Sequence, residues 1–269
     1  MLVSRSGAKA RGIEEAAEQI RALHSEVEIG AADITDAAQI ASLRAAAGDW
    51  PIRGIVHGAM VLDDMMMSDL TEEHFRRVFL PKVQGARNLV QLAEGPDLDF
   101  VVFYSSISAL VGNPGQANYI AANSLLDAIA RDWRAAGVPA VSVNWGALAE
   151  SGVVARDQRI GGVLASAGVT GLTDQQALEA LEKAIRSDLP GLGVFAVDWK
   201  KWCAANPRLA DHPCFRDLRI KFQEGDANDP AARIRKELAG VPVDQRLRVL
   251  SEHLQEVVAA TLRMPKDAI

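Results

Sequence analysis

The stretch Phe100-Val-Val-Phe-Tyr-Ser-Ser-Ile-Ser108 joins a nearly continuous hydrophobic run to a group of hydroxyl side chains. A run of this kind is typical of a strand that is buried on both faces, as in a parallel sheet covered by helices. Ligands of open α/β sheets bind beyond the carboxyl ends of the strands. The stretch therefore predicts a buried strand of an α/β fold, with hydroxyl groups placed to meet a ligand.

Similar short runs alternate with longer helical patterns along the chain, which indicates βαβ units and a doubly wound parallel sheet. The predicted strands are Met1–Ser4, Val27–Ala31, Gly54–Ala59, Phe100–Ser105, Ala140–Trp145 and Gly193–Val197. The predicted helices cover residues 12–24, 36–47, 71–94, 115–136 and 173–187. The sequence thus predicts the α/β class, with helices on both faces of the sheet.

The character of the chain changes near its C-terminal end. Residues 222–230 are polar, acidic and rich in turn formers, which indicates a linker. Residues 231–269 carry apolar positions at helical spacing but are too few to bury a core of their own. We therefore expect one large domain over residues 1–221, the linker, and a helical region over residues 231–269.

Composition and charge exclude several classes of protein. The 269 residues are 49% hydrophobic and 24% charged, which supports a real core and excludes a disordered chain. The formal charge is −6 and no basic run is interleaved with aromatic residues, so a nucleic-acid partner is not expected. Cys203 and Cys214 indicate neither a disulfide framework nor a metal site. Without an apolar stretch of roughly 18 residues no membrane span is expected, and a cytoplasmic location fits best.

Lys82 stands out because it shares the apolar stripe of the predicted helix at 71–94 with residues such as Val78 and Leu89. An ammonium group in that position needs a partner. The alternative is a snorkelling lysine, whose stem packs while its ammonium reaches water. Pro81, directly before it, predicts a kink in the helix.

Tyr119 and Asn123 form the next candidate pair. They lie one turn apart on one face of the helix that begins in Gly115-Gln-Ala-Asn-Tyr-Ile-Ala-Ala-Asn123. Together with Ser106 and Lys82 they could polarise a carbonyl and deliver a proton, since a nearby ammonium lowers the pKa of a phenol from about 10. A core tyrosine and a helix-interior asparagine remain the alternative on composition alone.

Ordered motifs along residues 1 to about 220 resemble those of the ketoreductase domains of polyketide synthases, a branch of the short-chain dehydrogenase/reductases. The motifs are Leu2-Val-Ser-Arg-Ser-Gly7, Ala32-Asp33-Ile34, Gly54-Ile-Val-His-Gly-Ala59, Leu62-Asp-Asp64, Pro81-Lys-Val-Gln-Gly-Ala86, Phe103-Tyr-Ser-Ser-Ile-Ser108, Gly115–Asn123 and Val143-Asn-Trp-Gly146. In this family the lysine lies on the earlier helix and an asparagine follows the tyrosine, the reverse of the ordinary Tyr-x-x-x-Lys order. Lys82, Tyr119 and Asn123 follow that reversed order.

The resemblance implies a Rossmann-like fold and an NADPH-dependent reductase of polyketide or fatty-acid-like synthesis. Its substrate would be a β-ketoacyl thioester linked through phosphopantetheine to an acyl carrier domain, within a synthase of further domains. Ser106 would hydrogen-bond the keto oxygen, and Tyr119 would protonate it as hydride arrives. Lys82 would lower the pKa of the phenol and help to complete the proton path, and Asn123 would hold the group together.

The resemblance also implies a cofactor site. Ser4 and Arg5 match positions that hold the adenosine 2′-phosphate, for which a guanidinium fork is suited, with a solvated strand-end arginine as the alternative. Asp33 resembles the aspartate at the adenine edge, although capping of the helix at 36–47 explains it almost as well. The other implied cofactor-binding residues are Ile34, His57, Gly58, Ala59, Trp145 and Gly146.

The turn Leu62-Asp63-Asp64 is the implied element of stereocontrol. In the family, Leu-Asp-Asp marks the B-type ketoreductases, which form the D-configured alcohol. Gln116, in the same motif as Tyr119, is assigned to the substrate together with this turn. The plain alternative is a polar turn after a strand.

The sequence departs from the family in lacking the glycine-rich loop that cradles a pyrophosphate. The resemblance implies that the chain begins at the second strand of the fold, and that residues 231–269 are the first helix of a truncated acyl carrier domain. Two alternatives therefore stay open. One is a catalytically incompetent fragment with only a scaffolding role. The other is a stand-alone short-chain reductase of a small ketone, against which the carrier-like helix argues.

Overall fold

The computed structural model describes residues 1–48, 50–93, 98–152, 158–210, 212–215, 234 and 237–262. The chain divides into two compact units, Met1–Ala205 and Asn206–Ile269. This division falls before the boundary predicted at residue 221. The predicted linker at 222–230 lies outside the described residues, and the assignment of residues 231–269 to a carrier domain stays a prediction.

The first unit alternates strands and helices. Its first half contains β1 (Leu2–Ser4), α1 (Ile13–Ala22), β2 (Ile29–Ala31), α2 (Ala37–Ala46), β3 (Gly54–His57), α3 (Glu72–Phe79), a π-helical turn (Leu80–Gln84) and α4 (Gly85–Ala93). Its second half contains β4 (Phe100–Ser106), α5 (Ser108–Val111), α6 (Ala117–Ala135), β5 (Ala140–Trp145), α7 (Gln158–Ser166), β6 (Val169–Thr170), α8 (Asp174–Arg186), β7 (Gly191–Val194), β8 (Ala196–Val197) and α9 (Trp199–Ala205).

The second unit contains the short helix α10 (Pro207–Ala210) and the longer helix α11 (Arg246–Leu262). On α11 the apolar residues Leu247, Leu254 and Val257 are exposed. Of the helices that the structure describes, none is both long enough and apolar enough to cross a membrane.

Two parallel sheets form the framework of the first unit. β1 pairs with β2, and the larger sheet has the order β3-β4-β5-β7. Val101 and Phe103 of β4 pack with Leu126 of α6 on one face, whereas Val102 packs with Ala184 of α8 on the other. The α/β class and the helix-covered parallel sheet, matching the Rossmann-like fold, are thereby confirmed.

Two elements differ from the predicted pattern. The single strand predicted at Gly193–Val197 is two strands, because β7 joins the main sheet while β8 pairs antiparallel with β6. The helix predicted at 71–94 is interrupted by the π-helical turn, whose second residue is Pro81. Proline lacks the N–H that a helical hydrogen bond needs, so the expected kink takes this form.

An open cleft separates the two sheets, and we call it the β1–β3 cleft. Its volume is about 1090 Å³, and its apolar walls include Leu2, Ile55 and Phe100. Val3 on β1 is 46% exposed and Val56 on β3 is 53% exposed. Within the described residues neither strand pairs with a neighbour on its cleft side, so each presents an unpaired backbone edge there.

Candidate active site

Lys82, Ser106, Tyr119 and Asn123 meet at the carboxyl end of β4. Lys82 Nζ donates a hydrogen bond to the backbone oxygen of Tyr104 in β4 at 2.8 Å, and lies 5.4 Å from the centre of the Tyr119 ring. Asn123 Nδ2 donates to the backbone oxygen of Tyr119, one turn earlier on α6, at 2.8 Å. Ser106 ends β4, and its side chain lies close enough to the Tyr119 phenol to influence the pKa of that phenol. The structure thus brings all four predicted catalytic residues together.

Lys82 is held inside the protein by the π-helical turn. Its side chain is only 1% exposed, which excludes the snorkelling alternative. His57 Nε2 donates to the Lys82 backbone oxygen at 2.8 Å, and burial lowers the pKa of His57 to about 4, so the imidazole is neutral near pH 7. Burial also lowers the pKa of Lys82 from 10.5 to about 8, which lets this amine exchange a proton under mild conditions.

Tyr119 keeps its proton in this environment. Burial raises the pKa of the phenol, while the neighbouring Asn123 and Ser106 side chains oppose that rise. The net direction is upward because desolvation is the largest cause, and the lowering by Lys82 that the resemblance implies stays a prediction. A phenol that holds its proton at working pH can act as a donor.

Ser106 and Asn123 each offer a hydrogen-bonding function to a ligand. The Ser106 hydroxyl oxygen accepts from Ser108 N at 3.2 Å and from Ser108 Oγ at 2.9 Å, which leaves its own hydrogen to donate elsewhere. Asn123 Oδ1 is buried and makes no hydrogen bond within the described residues. Buried acceptors without a partner are rare, so this oxygen marks a place for a donor from a ligand or water.

The turn Leu62–Asp64 is fastened to the start of α6. Gln116 Nε2 donates to Asp64 Oδ2 at 2.8 Å, and Asn118 Nδ2 donates to the Asp63 backbone oxygen at 2.9 Å. The charge of Asp64 helps to raise the pKa of Tyr119, so the turn lies within electrostatic reach of the phenol. Asn118, fully buried and not singled out from the sequence, also accepts from Tyr119 N at 2.8 Å. Its place directly before the tyrosine was the only signal.

Most of the predicted cofactor-binding residues line the β1–β3 cleft at the carboxyl ends of β1, β2 and β3. These residues are Ser4, Arg5, Asp33, Ile34, His57, Gly58 and Ala59. Trp145 and Gly146 lie at the end of β5, outside the lining of the cleft. The Trp145 ring packs against Tyr104 at 5.4 Å, and Gly146 N donates to the Val194 oxygen at 2.8 Å.

Asp33 starts the turn before α2, as the alternative predicted, but it does not cap that helix, so the capping part of the alternative is wrong. The cap is Asp36, whose Oδ1 accepts from Ala38 N at 2.9 Å and Gln39 N at 3.2 Å. Asp33 Oδ1 instead accepts from Thr35 N and Thr35 Oγ1, and these bonds lower the pKa of its carboxyl group. The carboxylate is therefore ionised and held in place on the wall of the cleft.

The cleft has features that fit a nicotinamide dinucleotide. Ser4 Oγ and His57 Nδ1 are buried on its lining without a hydrogen-bond partner among the described residues. Exposed Arg5 brings a guanidinium group to the same wall, and its charge acts on Asp33. These residues could hold the adenosine half of such a cofactor through hydrogen bonds and charge.

Comparisons with known proteins find similarity to a domain of polyketide synthases. The family model for the KR domain matches residues 1–150. Polyketide synthase GfsB of Streptomyces halstedii is 33% identical over 272 residues, which cover 97% of this chain and 5% of that protein. The chain therefore spans a small part of this relative.

Solved structures of similar domains share the fold. PlmKR1, the ketoreductase from the first module of phoslactomycin biosynthesis in Streptomyces sp. HK803, gives a TM-score of 0.73 at 38% identity, covering 80% of this chain and 50% of that one. A structure of A-type ketoreductases from a modular polyketide synthase gives 0.72 at 34% identity, covering 76% of this chain and 43% of that one.

Proposed function

Because this chain belongs to the KR, or ketoreductase, domain family of polyketide synthases, we propose that it reduces a carrier-bound β-ketoacyl thioester to the β-hydroxyacyl thioester with NADPH. The observation that supports this most is the meeting of Lys82, Ser106, Tyr119 and Asn123 at the carboxyl end of β4. A carbonyl that accepts hydride needs a hydrogen-bond donor and a proton at its oxygen, and this group offers both.

The proposed roles follow from the state of each group. NADPH, when bound, supplies the hydride. Ser106 donates its hydroxyl hydrogen to the keto oxygen, and Tyr119, whose pKa burial raises, passes its proton to the same oxygen. Lys82, with a pKa of about 8, and the open Oδ1 of Asn123 provide the route by which the phenol regains a proton.

Tests of turnover need a chain with a complete phosphate-binding loop. The sequence contains no glycine-rich loop, and the β1–β3 cleft is open. We therefore define the N-extended chain as this chain preceded by a strand, a glycine-rich loop and a helix from a related ketoreductase domain. The proposed function is tested by oxidation of NADPH when the N-extended chain receives a β-ketoacyl thioester. No oxidation with any such thioester would contradict the proposal.

Arg5→Ala in the N-extended chain is expected to weaken NADPH binding by about 1.5–3 kcal/mol, the range for a charge-assisted hydrogen bond. NADH binding should barely change, because NADH lacks the 2′-phosphate. The measurement is a fluorescence titration with both cofactors. Arg44→Ala is the matched control, since Arg44 lines the same cleft but bonds the Gly48 oxygen. Equal losses for NADPH and NADH would contradict the assignment of Arg5.

The product of the N-extended chain is expected to be the D-hydroxyacyl thioester, because Leu62–Asp64 is the B-type motif by resemblance and is held beside the start of α6. Chiral chromatography after hydrolysis measures the ratio of the two alcohols. Asp64→Ala, which removes the bond to Gln116, should lower the share of the D product, whereas the exposed Asp69→Ala should not. A predominantly L product from the parent would show that the turn does not control stereochemistry.

The open β1–β3 cleft favours one competing function, a catalytically incompetent fragment with a scaffolding role. The two proposals differ in what the N-extended chain does. If the chain is a reductase domain, the N-extended chain should oxidise NADPH with a β-ketoacyl thioester, whereas a scaffold should not oxidise it even with the added segment. A comparison of a β-ketoacyl thioester with small ketones in the N-extended chain separates the synthase domain from a stand-alone reductase.

A further inference from the structure

A buried polar network lies behind the site and joins β5 to α6. Ser142 and Asn144 on β5 are buried polar residues, and they alternate with the buried apolar residues Val141 and Val143. Ser142 Oγ donates to Asp127 Oδ1 at 2.5 Å, and Asn144 Nδ2 donates to Asp127 Oδ2 at 2.9 Å. Both carboxylate oxygens of Asp127, on α6, are thus bound to β5.

Asn144 carries the network on to β4. Its Nδ2 also lies 2.9 Å from Ser105 Oγ and 3.2 Å from the Ser106 backbone oxygen. Ser105 Oγ in turn donates to the Asn123 backbone oxygen at 3.3 Å. An amide nitrogen has two hydrogens, and here three acceptors share them. Since bonds to a charged acceptor are the stronger ones, Asp127 is the acceptor that holds this amide in place.

Asp127 also supplies the negative charge that acts on the buried ammonium of Lys82. The other titratable groups beside Lys82 are Tyr119 on α6, whose phenol keeps its proton, and His57 on β3, which is neutral near pH 7. Tyr104 of β4 meets the ammonium through its backbone oxygen. Loss of the Asp127 charge would therefore leave Lys82 without the opposite charge that favours its protonated form.

We propose that Asp127 is a positioning residue of this site. Through Ser142 and Asn144 it holds the ends of β4 and β5 against α6, which sets Ser106 relative to Tyr119, and its charge favours the protonated form of Lys82. The catalytic consequence rests on the proposed reductase function, whereas the network and the effect on Lys82 do not. This role lies outside the four residues that the family resemblance assigned.

The first test needs no turnover. The Nζ signal of Lys82, assigned by its loss in Lys82→Met, is titrated by ¹⁵N NMR in the full chain. In Asp127→Asn the midpoint should fall by about half a unit or more, since an opposite charge has been removed. Asp132→Asn, five residues further along α6 and exposed, is the matched control and should leave the midpoint unchanged. Equal midpoints in the two variants would overturn the electrostatic part of the proposal.

The second test separates positioning from charge. Ser142→Ala removes one bond to Asp127 and keeps the charge, so it should leave the Lys82 midpoint in place. In the N-extended chain it should lower kcat about tenfold, while NADPH affinity changes less than about twofold. Unchanged kcat would overturn the positioning part. If the parent N-extended chain has no reductase activity, the proposed function fails, and the titration still decides the role of Asp127. Ser142→Ala also serves if Asp127→Asn does not fold.

Discussion

Filling the β1–β3 cleft with one parallel strand is expected to raise the free energy of unfolding of this chain by about 5–10 kcal/mol and to strengthen its binding of NADPH. Each new ladder hydrogen bond contributes about 0.5–1.5 kcal/mol, and each apolar side chain buried against Leu2, Ile55 and Phe100 about 1.5–3 kcal/mol. The gain is comparable to the whole stability of a typical domain, about 5–15 kcal/mol.

The measurement compares urea unfolding and NADPH fluorescence titration of the chain with those of the N-extended chain. The control is an N-extended chain with a proline in the middle of the added strand, because proline cannot donate to a ladder. That control should lose most of the gain. If the chain without the extension unfolds cooperatively at the same urea concentration as the N-extended chain and binds NADPH stoichiometrically, the cleft closes in another way.

Tyr119→Phe is expected to lower turnover of the N-extended chain by about 100-fold or more, the range for loss of a general acid. NADPH affinity should barely move, since Tyr119 lies on α6 outside the lining of the cleft. Steady-state kinetics and cofactor titration measure the two effects separately.

Tyr104→Phe is the matched control, because Tyr104 is the only other tyrosine of the chain. Its ring packs against Trp145, and it bonds Lys82 through its backbone oxygen, which the substitution keeps. Turnover in Tyr104→Phe should stay near that of the parent. Retained turnover in Tyr119→Phe would remove this phenol from the mechanism.

Lys82 and Tyr119 show which properties of the site a sequence pattern can predict. The apolar stripe of Lys82 left both a buried and a snorkelling lysine open, and the structure selects the buried one. The proline before it predicted an irregular helix, and a π-helical turn lies there. The direction of the pKa shift at Tyr119 was not predictable in the same way, because it depends on how much water the folded protein removes from the phenol. The spacing of residues along the chain indicates that an ammonium lies near a phenol, but it does not indicate how strongly the folded protein desolvates that phenol.

Asp33 and Asp127 show two other limits. Asp33 and Asp36 are both plausible caps of α2 in the sequence, and only the backbone geometry selects Asp36. Asp127 looks like one more acidic residue on a helix, and its role depends on two polar residues in the otherwise apolar strand β5. Asn144 between buried neighbours was the one available signal, since a polar group in a buried strand needs a partner.

The sequence by itself determined the α/β class, the order of the strands along the chain and the family, because hydrophobic periodicity and local motifs act over a few neighbouring residues. Only the tertiary structure decided which atoms meet. Lys82, Ser106 and Tyr119 come from three elements whose approach is set by the pairing of β4 with β5 and the packing of α6. Their proton affinities then follow from burial and from charges that are remote in the sequence, which no local pattern records.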